Sequence, residues 1–116
     1  MAAAAIAKRH GAFVMATTRN PDRDSLLRTS GADQVFIDNG SIANEVRAAC
    51  PEGVDKLLEL VGTTTLEDTL RCAGRHGIVC MTGMVGNRWS IENFSPMDAI
   101  PSAVCLTTYS LSLIHI

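Results

Sequence analysis

With 116 residues, 47% of them hydrophobic and 19% charged, the chain has room for one domain with a single modest core and lies outside the range of disordered sequences. A formal net charge of -2, with acids and bases mixed along the chain, gives no basic face for a phosphate backbone, so nucleic acid is not an expected partner. The four cysteines, Cys50, Cys72, Cys80 and Cys105, make no C-x-x-C pair and no zinc-ligand spacing, and read as buried thiols in a reducing compartment.

The opening Met1–Ala7 has no basic residue ahead of it and ends within seven residues at Lys8-Arg9-His10. That is too short for a secretion signal or a membrane span, and a cytoplasmic protein without membrane contact is expected. Alanine-rich Ala2–Arg9 predicts a helix that stops at Gly11. The apolar run Ala12–Thr17 predicts a buried strand, closed by Asn20-Pro21.

Pro21-Asp22 starts a second helix, with Asp22 and Asp24 in its first turn and Gly31 after its end. Gln34–Ile37 is the next strand. Asp38-Asn39-Gly40 is a turn that leads to Ser41 as N-cap of a helix over Ile42–Cys50. Pro51-Glu52-Gly53 breaks it.

Val54–Val61 reads as a strand in which Asp55, Lys56 and Glu59 interrupt an apolar set. Thr64 or Thr65 is expected to cap a helix that runs to about Ala73, with Gly74 as its stop, and Gly77–Thr82 follows as a strand. The stretch from Asn87 to Pro101 loses regularity, and Ala103–Thr107 is a last short strand. Helices and strands in strict alternation, joined by short connections, predict an α/β fold with a doubly wound parallel sheet.

In such sheets ligands bind beyond the carboxyl ends of the strands, so the residues there are the candidates. After the first strand stand Thr17-Thr18-Arg19-Asn20, with Arg23 a turn later, and no carboxylate where NAD enzymes hold the ribose hydroxyls. Arg19 and Arg23 suit a 2′-phosphate instead. Their plainer reading is solvated surface charge. After later strands come Asp38-Asn39, Val61-Gly62-Thr63 and Gly83-Met84-Val85-Gly86, where glycine admits close approach of a ligand to the backbone or simply serves a turn. His10 and His76 sit beside glycines taken as helix ends and read as structural, like His115 in the tail, and Cys80 and Met81 as core.

The segments Ala-Ile-Ala-Lys-Arg-His-Gly-Ala-Phe-Val from Ala5, Ser-Gly-Ala-Asp from Ser30, Gly-Val-Asp from Gly53 and Glu-Leu-Val-Gly from Glu59 occur in order. With Gly77–Gly83, Phe94-Ser-Pro-Met97 and Ile100-Pro101, they resemble the zinc-independent, quinone-reductase-like branch of the medium-chain dehydrogenase/reductase superfamily, over about Ala2 to Tyr109. The resemblance implies a partial NADP-binding Rossmann domain at 2–109, truncated at both ends, without its first strand, its glycine-rich phosphate loop and the catalytic domain. It implies NADPH as cofactor, hydride transfer to a quinone, enone or related carbonyl, no catalytic residue and no metal ligand in this chain, and a homo-oligomer when full length.

Carried over residue by residue, Thr18, Arg19 and Arg23 go to the adenosine end, Val61 and Gly62 to the middle of the cofactor, and Gly83, Met84 and Val85 toward the nicotinamide. Leu106 and Thr107 flank the nicotinamide from the last strand. Residues 110–116 break the resemblance and read as a non-native tail. The alternatives are a non-catalytic remnant with little or no nucleotide binding, its sheet edges exposed, and, last, another Rossmann enzyme such as a methyltransferase, against which Thr18-Arg19 stands in place of an acid.

Overall fold

The computed structural model describes residues 2–86 and 88–109. They form a mixed α/β structure in which every strand pairing is parallel. In chain order the elements are α1 (Ala2–Arg9), β1 (Met15–Thr18), a 3-10 turn (Pro21–Arg23), α2 (Asp24–Thr29), β2 (Gln34–Ile37), α3 (Ala43–Ala49), β3 (Val54–Glu59), α4 (Thr63–Cys72), β4 (Ala73–Met81), α5 (Pro96–Ala99) and β5 (Cys105–Thr108). Hydrogen bonding divides the strands into a two-stranded sheet, β1-β2, and a three-stranded sheet with the order β3-β4-β5. These belong to two compact units, residues 1–42 and 43–116.

In the first unit Met15 pairs with Gln34 and Thr18 with Ile37. Val14, Leu27 and Ala32 form its core, with Ala4 and Ala7 of α1 and Ala16 and Val35 of the strands packed around them. Alanine thus serves α1 twice, as the strongest helix former and as a side chain small enough for close packing. Asp33 fixes the arrangement by accepting hydrogen bonds from Lys8 Nζ at 2.6 Å and from Val14 N at 2.8 Å.

The same aspartate region explains why β1 starts at Met15 and not at Ala12. Val14 gives its N–H to the Asp33 carboxylate, and its carbonyl accepts from Asp33 N and Gln34 N. Its backbone is used before the ladder begins.

In the second unit Leu66, Leu70, Ala73 and Val79 make the core, and Leu70 and Val79 are completely buried. Burial of a leucine or valine side chain stabilises by roughly 1.5–3 kcal/mol, so α4 and β4 anchor this unit. Arg47 of α3 locks the end of α4 by donating to the carbonyls of Arg71, Ala73 and Pro51 at 2.8–3.1 Å. These include acceptors that the end of a helix leaves unpaired.

Three expectations are corrected here. Helix α4 starts at Thr63 with Gly62 as its N-cap residue and no side-chain cap, so neither Thr64 nor Thr65 caps it. Gly74 is no helix stop: α4 ends at Cys72, and β4 begins at once with Ala73 in extended conformation. The pairing then jumps from Val54–Ala73 to Lys56–Ile78 across a bulge, so the regular ladder starts near the Gly77 expected for it. His76 sits in that bulge at φ 65°, away from any helix end, and gives its N–H to Ala103 O.

Candidate functional site

After β1 the chain turns through Thr18–Asn20 into the 3-10 turn. Asn20 N donates to Thr18 Oγ1 at 3.1 Å, and Asn20 Oδ1 accepts from Asp22 N at 3.0 Å. The short polar side chains are therefore consumed in building the turn, as Ser, Thr and Asn commonly do. Arg19 and Arg23 are left exposed, and neither joins an ion pair among the described residues. Asp24, the nearest acid on α2, is taken by Arg28.

The second unit holds a loop pair at the carboxyl ends of β3 and β4. Gly83 N and Thr82 N donate to Glu59 O, Val85 N to Leu60 O, and Gly86 N to Val61 O at 2.8 Å. The segment Leu60–Gly62 and the turn Gly83–Gly86 thus lie backbone to backbone. Val61, Gly62, Gly83, Met84 and Val85 are brought together.

Two positions of this loop pair are held to glycine. Gly62 has φ 116°, and a Cβ there would stand 2.9 Å from Met84 Sδ; a Cβ on Gly83 would stand 2.5 Å from Leu60 O. The loop contact demands glycine at 83, where the obstructing atom is backbone, and the positive φ demands it at 62, where the Met84 side chain could move aside.

Beneath the loop lies a residue that sequence reasoning passed over. Glu59, the last residue of β3, is only 4% exposed. Its Oε2 accepts from Val61 N at 3.0 Å, Gly62 N at 3.2 Å and Thr65 Oγ1 at 2.9 Å, and its Oε1 from Thr69 Oγ1 at 2.6 Å. A buried acid is tolerable only with such partners. The available signal was an acid ending a strand, followed by threonines four residues apart, and therefore on one face of the next helix.

Leu106 and Thr107 sit on β5 opposite Val79 and Cys80. Adjacent strand residues face opposite sides: Leu106 packs on the Leu66–Leu70–Val79 core, whereas Thr107 is exposed. Of the cysteines, only Cys72 is buried; Cys50 and Cys80 are half-buried, and Cys105, on an edge strand, is exposed. This corrects the expectation of four buried thiols. Burial, with Asp68 adding to it, pushes the Cys72 thiol up to about 11.

No group of three or more His, Cys, Asp or Glu side chains among the described residues is placed to hold a metal ion, and no helix there is long and apolar enough to cross a membrane. The family model described as "Zinc-binding dehydrogenase" matches residues 1–112. The chain belongs to this family.

Among relatives of this family, a "Probable quinone oxidoreductase" of Leishmania amazonensis is 28% identical over 93 residues, 79% of this chain and 26% of that protein. The crystal structure of AibC superposes with a TM-score of 0.82 at 27% identity, over 92% of this chain and 30% of that one. The Escherichia coli quinone oxidoreductase complexed with NADPH superposes with a TM-score of 0.78 at 20% identity, over 96% of this chain and 34% of that one. The chain therefore spans about a quarter to a third of the length of these proteins, and the likeness at 20% identity bears on the fold.

Proposed function

We propose that this chain supplies cofactor recognition for an NADPH-dependent oxidoreductase that transfers hydride to a quinone, enone or related carbonyl. The observation that carries the reading is the pair of exposed guanidinium groups, Arg19 and Arg23, after β1, in a turn with no carboxylate from Thr17 to Asn20. Guanidinium is the side chain best matched to a phosphate monoester, and an acid at this place would instead select the ribose hydroxyls of NAD. The NADPH complex of the Escherichia coli protein supports the choice of cofactor.

When bound, the cofactor supplies the hydride. In this reading Thr18, Arg19 and Arg23 hold its adenosine 2′-phosphate end, Val61 and Gly62 its middle, and Gly83, Met84 and Val85 its nicotinamide side. From β5, Thr107 flanks the nicotinamide, whereas Leu106, which the resemblance also assigned there, faces the core behind it. Residues 2–109 are the partial NADP-binding domain; the tail assigned to 110–116 lies outside the described residues. The family resemblance further gives a zinc-independent, cytoplasmic enzyme that is a homo-oligomer at full length, with this chain inactive toward the acceptor by itself.

Thermal unfolding of the purified chain with NADPH and with NADH tests the assignment. A ligand at a hundred times its Kd stabilises the folded state by about 2.7 kcal/mol, so NADPH raises Tm by several degrees and NADH by less. In an Arg19→Ala/Arg23→Ala double variant the two cofactors become equivalent. Equal shifts with wild-type protein would remove the arginines from phosphate recognition. No shift with either would favour a non-catalytic remnant, a reading supported by the exposure of Phe13, Leu26, Trp89 and Met97.

A further inference from the structure

The Glu59 cluster has a direction to it. The N–H groups of Val61 and Gly62, at the entry to α4, both turn onto Glu59 Oε2. Amides at the start of a helix are ordinarily the donors that receive a phosphate. Here two of them serve an internal acid, and a second anion brought to the same loop would meet that acid's charge. Thr65 and Thr69 close the arrangement from α4, while the Glu59, Leu60 and Val61 carbonyls hold the Gly83–Gly86 turn. One side chain thereby sets a loop, and through the loop its neighbour.

We propose that Glu59 is the positioning residue of the β3–α4 loop, fixing Val61 and Gly62 against the Gly83–Gly86 turn and reserving the loop, within the cofactor's middle, for the uncharged ribose on the nicotinamide side rather than for the pyrophosphate. The ligand part of this statement rests on the cofactor reading above; the hold on the loop does not. Thr69→Val keeps shape and removes one donor to Glu59, Thr69→Ser keeps the donor, and Glu59→Gln removes the charge while leaving an acceptor.

The test measures two quantities on the whole chain: amide hydrogen exchange at Val61 and Gly62, and Kd for NADPH and for adenosine 2′,5′-bisphosphate, which lacks the nicotinamide half. Glu59→Gln and Thr69→Val are expected to speed exchange at Val61 and Gly62 about tenfold, with Val79 and Cys80 unaffected, because loss of one charge-assisted hydrogen bond acts locally. Thr69→Ser restores the wild-type rate. NADPH binding weakens by about tenfold in the first two variants, and bisphosphate binding stays unchanged.

Unchanged exchange at Val61 and Gly62, or exchange that rises equally at Val79 and Cys80, overturns the positioning role. An equal loss of both ligands overturns the reservation of the loop for the uncharged ribose. Wild-type protein that binds neither ligand overturns that part together with the cofactor reading, and the exchange arm still decides whether Glu59 holds the loop. Should Glu59→Gln fail to fold, the Thr69 pair carries the same comparison.

Discussion

Asp33 links charge to fold at the scale of a single residue. Its hydrogen bond from Lys8, seconded by the Val14 N–H, holds its carboxyl below the usual carboxylate range. A carboxyl lowered in the folded state contributes stability at every pH above its unfolded value, about 3.9, and loses that contribution as pH falls through its folded value. Asp33→Asn should therefore cost stability at pH 7 and much less near pH 2. Urea midpoints for the two proteins at both pH values check this: a gap that stays constant would place the role of Asp33 in packing alone. The exposure of Arg19 and Arg23 after β1 was legible without the structure, because charged side chains in a polar turn at a strand end are solvated. Glu59 was not, because in a strand already carrying Asp55 and Lys56 it read as one more alternating charge. Its burial depends on Thr65, Thr69 and two amides that only the loop geometry brings to it.

At the scale of elements, the alternation of helices and strands could be read from hydrophobic runs and from breakers such as Gly53 and Pro21, and β2 at Gln34–Ile37 came out to the residue. Boundaries failed where tertiary hydrogen bonds decide them. Val14 looks like strand and is spent on Asp33, and Gly74 looks like a stop and lies in a bulge. The loop pair after β3 and β4 was legible as glycine at two strand ends, though not as a mutual contact. That contact makes a prediction at this scale. In Gly83→Ala the new methyl group would stand 2.5 Å from Leu60 O, a backbone atom that retreats only if the β3–α4 loop moves. The substitution should cost about 1–3 kcal/mol, and the shifts in an amide spectrum should centre on Leu60–Gly62 and Val85–Gly86. Chemical-shift changes confined to Gly83 and its chain neighbours would show that the loops are not in contact.

For the molecule as a whole, parallel α/β architecture followed from the order of elements. The separation of its strands into sheets of two and three did not, because pairing joins residues far apart in sequence and depends on which edges find partners. This separation has an energetic consequence. Among the described residues, strands β1 and β2 each have one partner, and the buried side chains of their unit, Val14, Leu27, Ala32 and Phe36, all keep some exposure. Strand β4 is paired on both sides over the fully buried Leu70 and Val79. Sheets of two strands are marginal, and protection from exchange follows buried apolar contact and paired backbone. Native-state amide exchange should therefore be slowest at Val79–Met81, and β1 and β2 should open at lower free energy. Leu70→Ala, which empties the larger core at an expected cost of about 2–5 kcal/mol, should speed exchange throughout β3, β4 and β5. If the slowest amides instead lay in Met15–Thr18, the most stable backbone would be that of the alanine-packed unit.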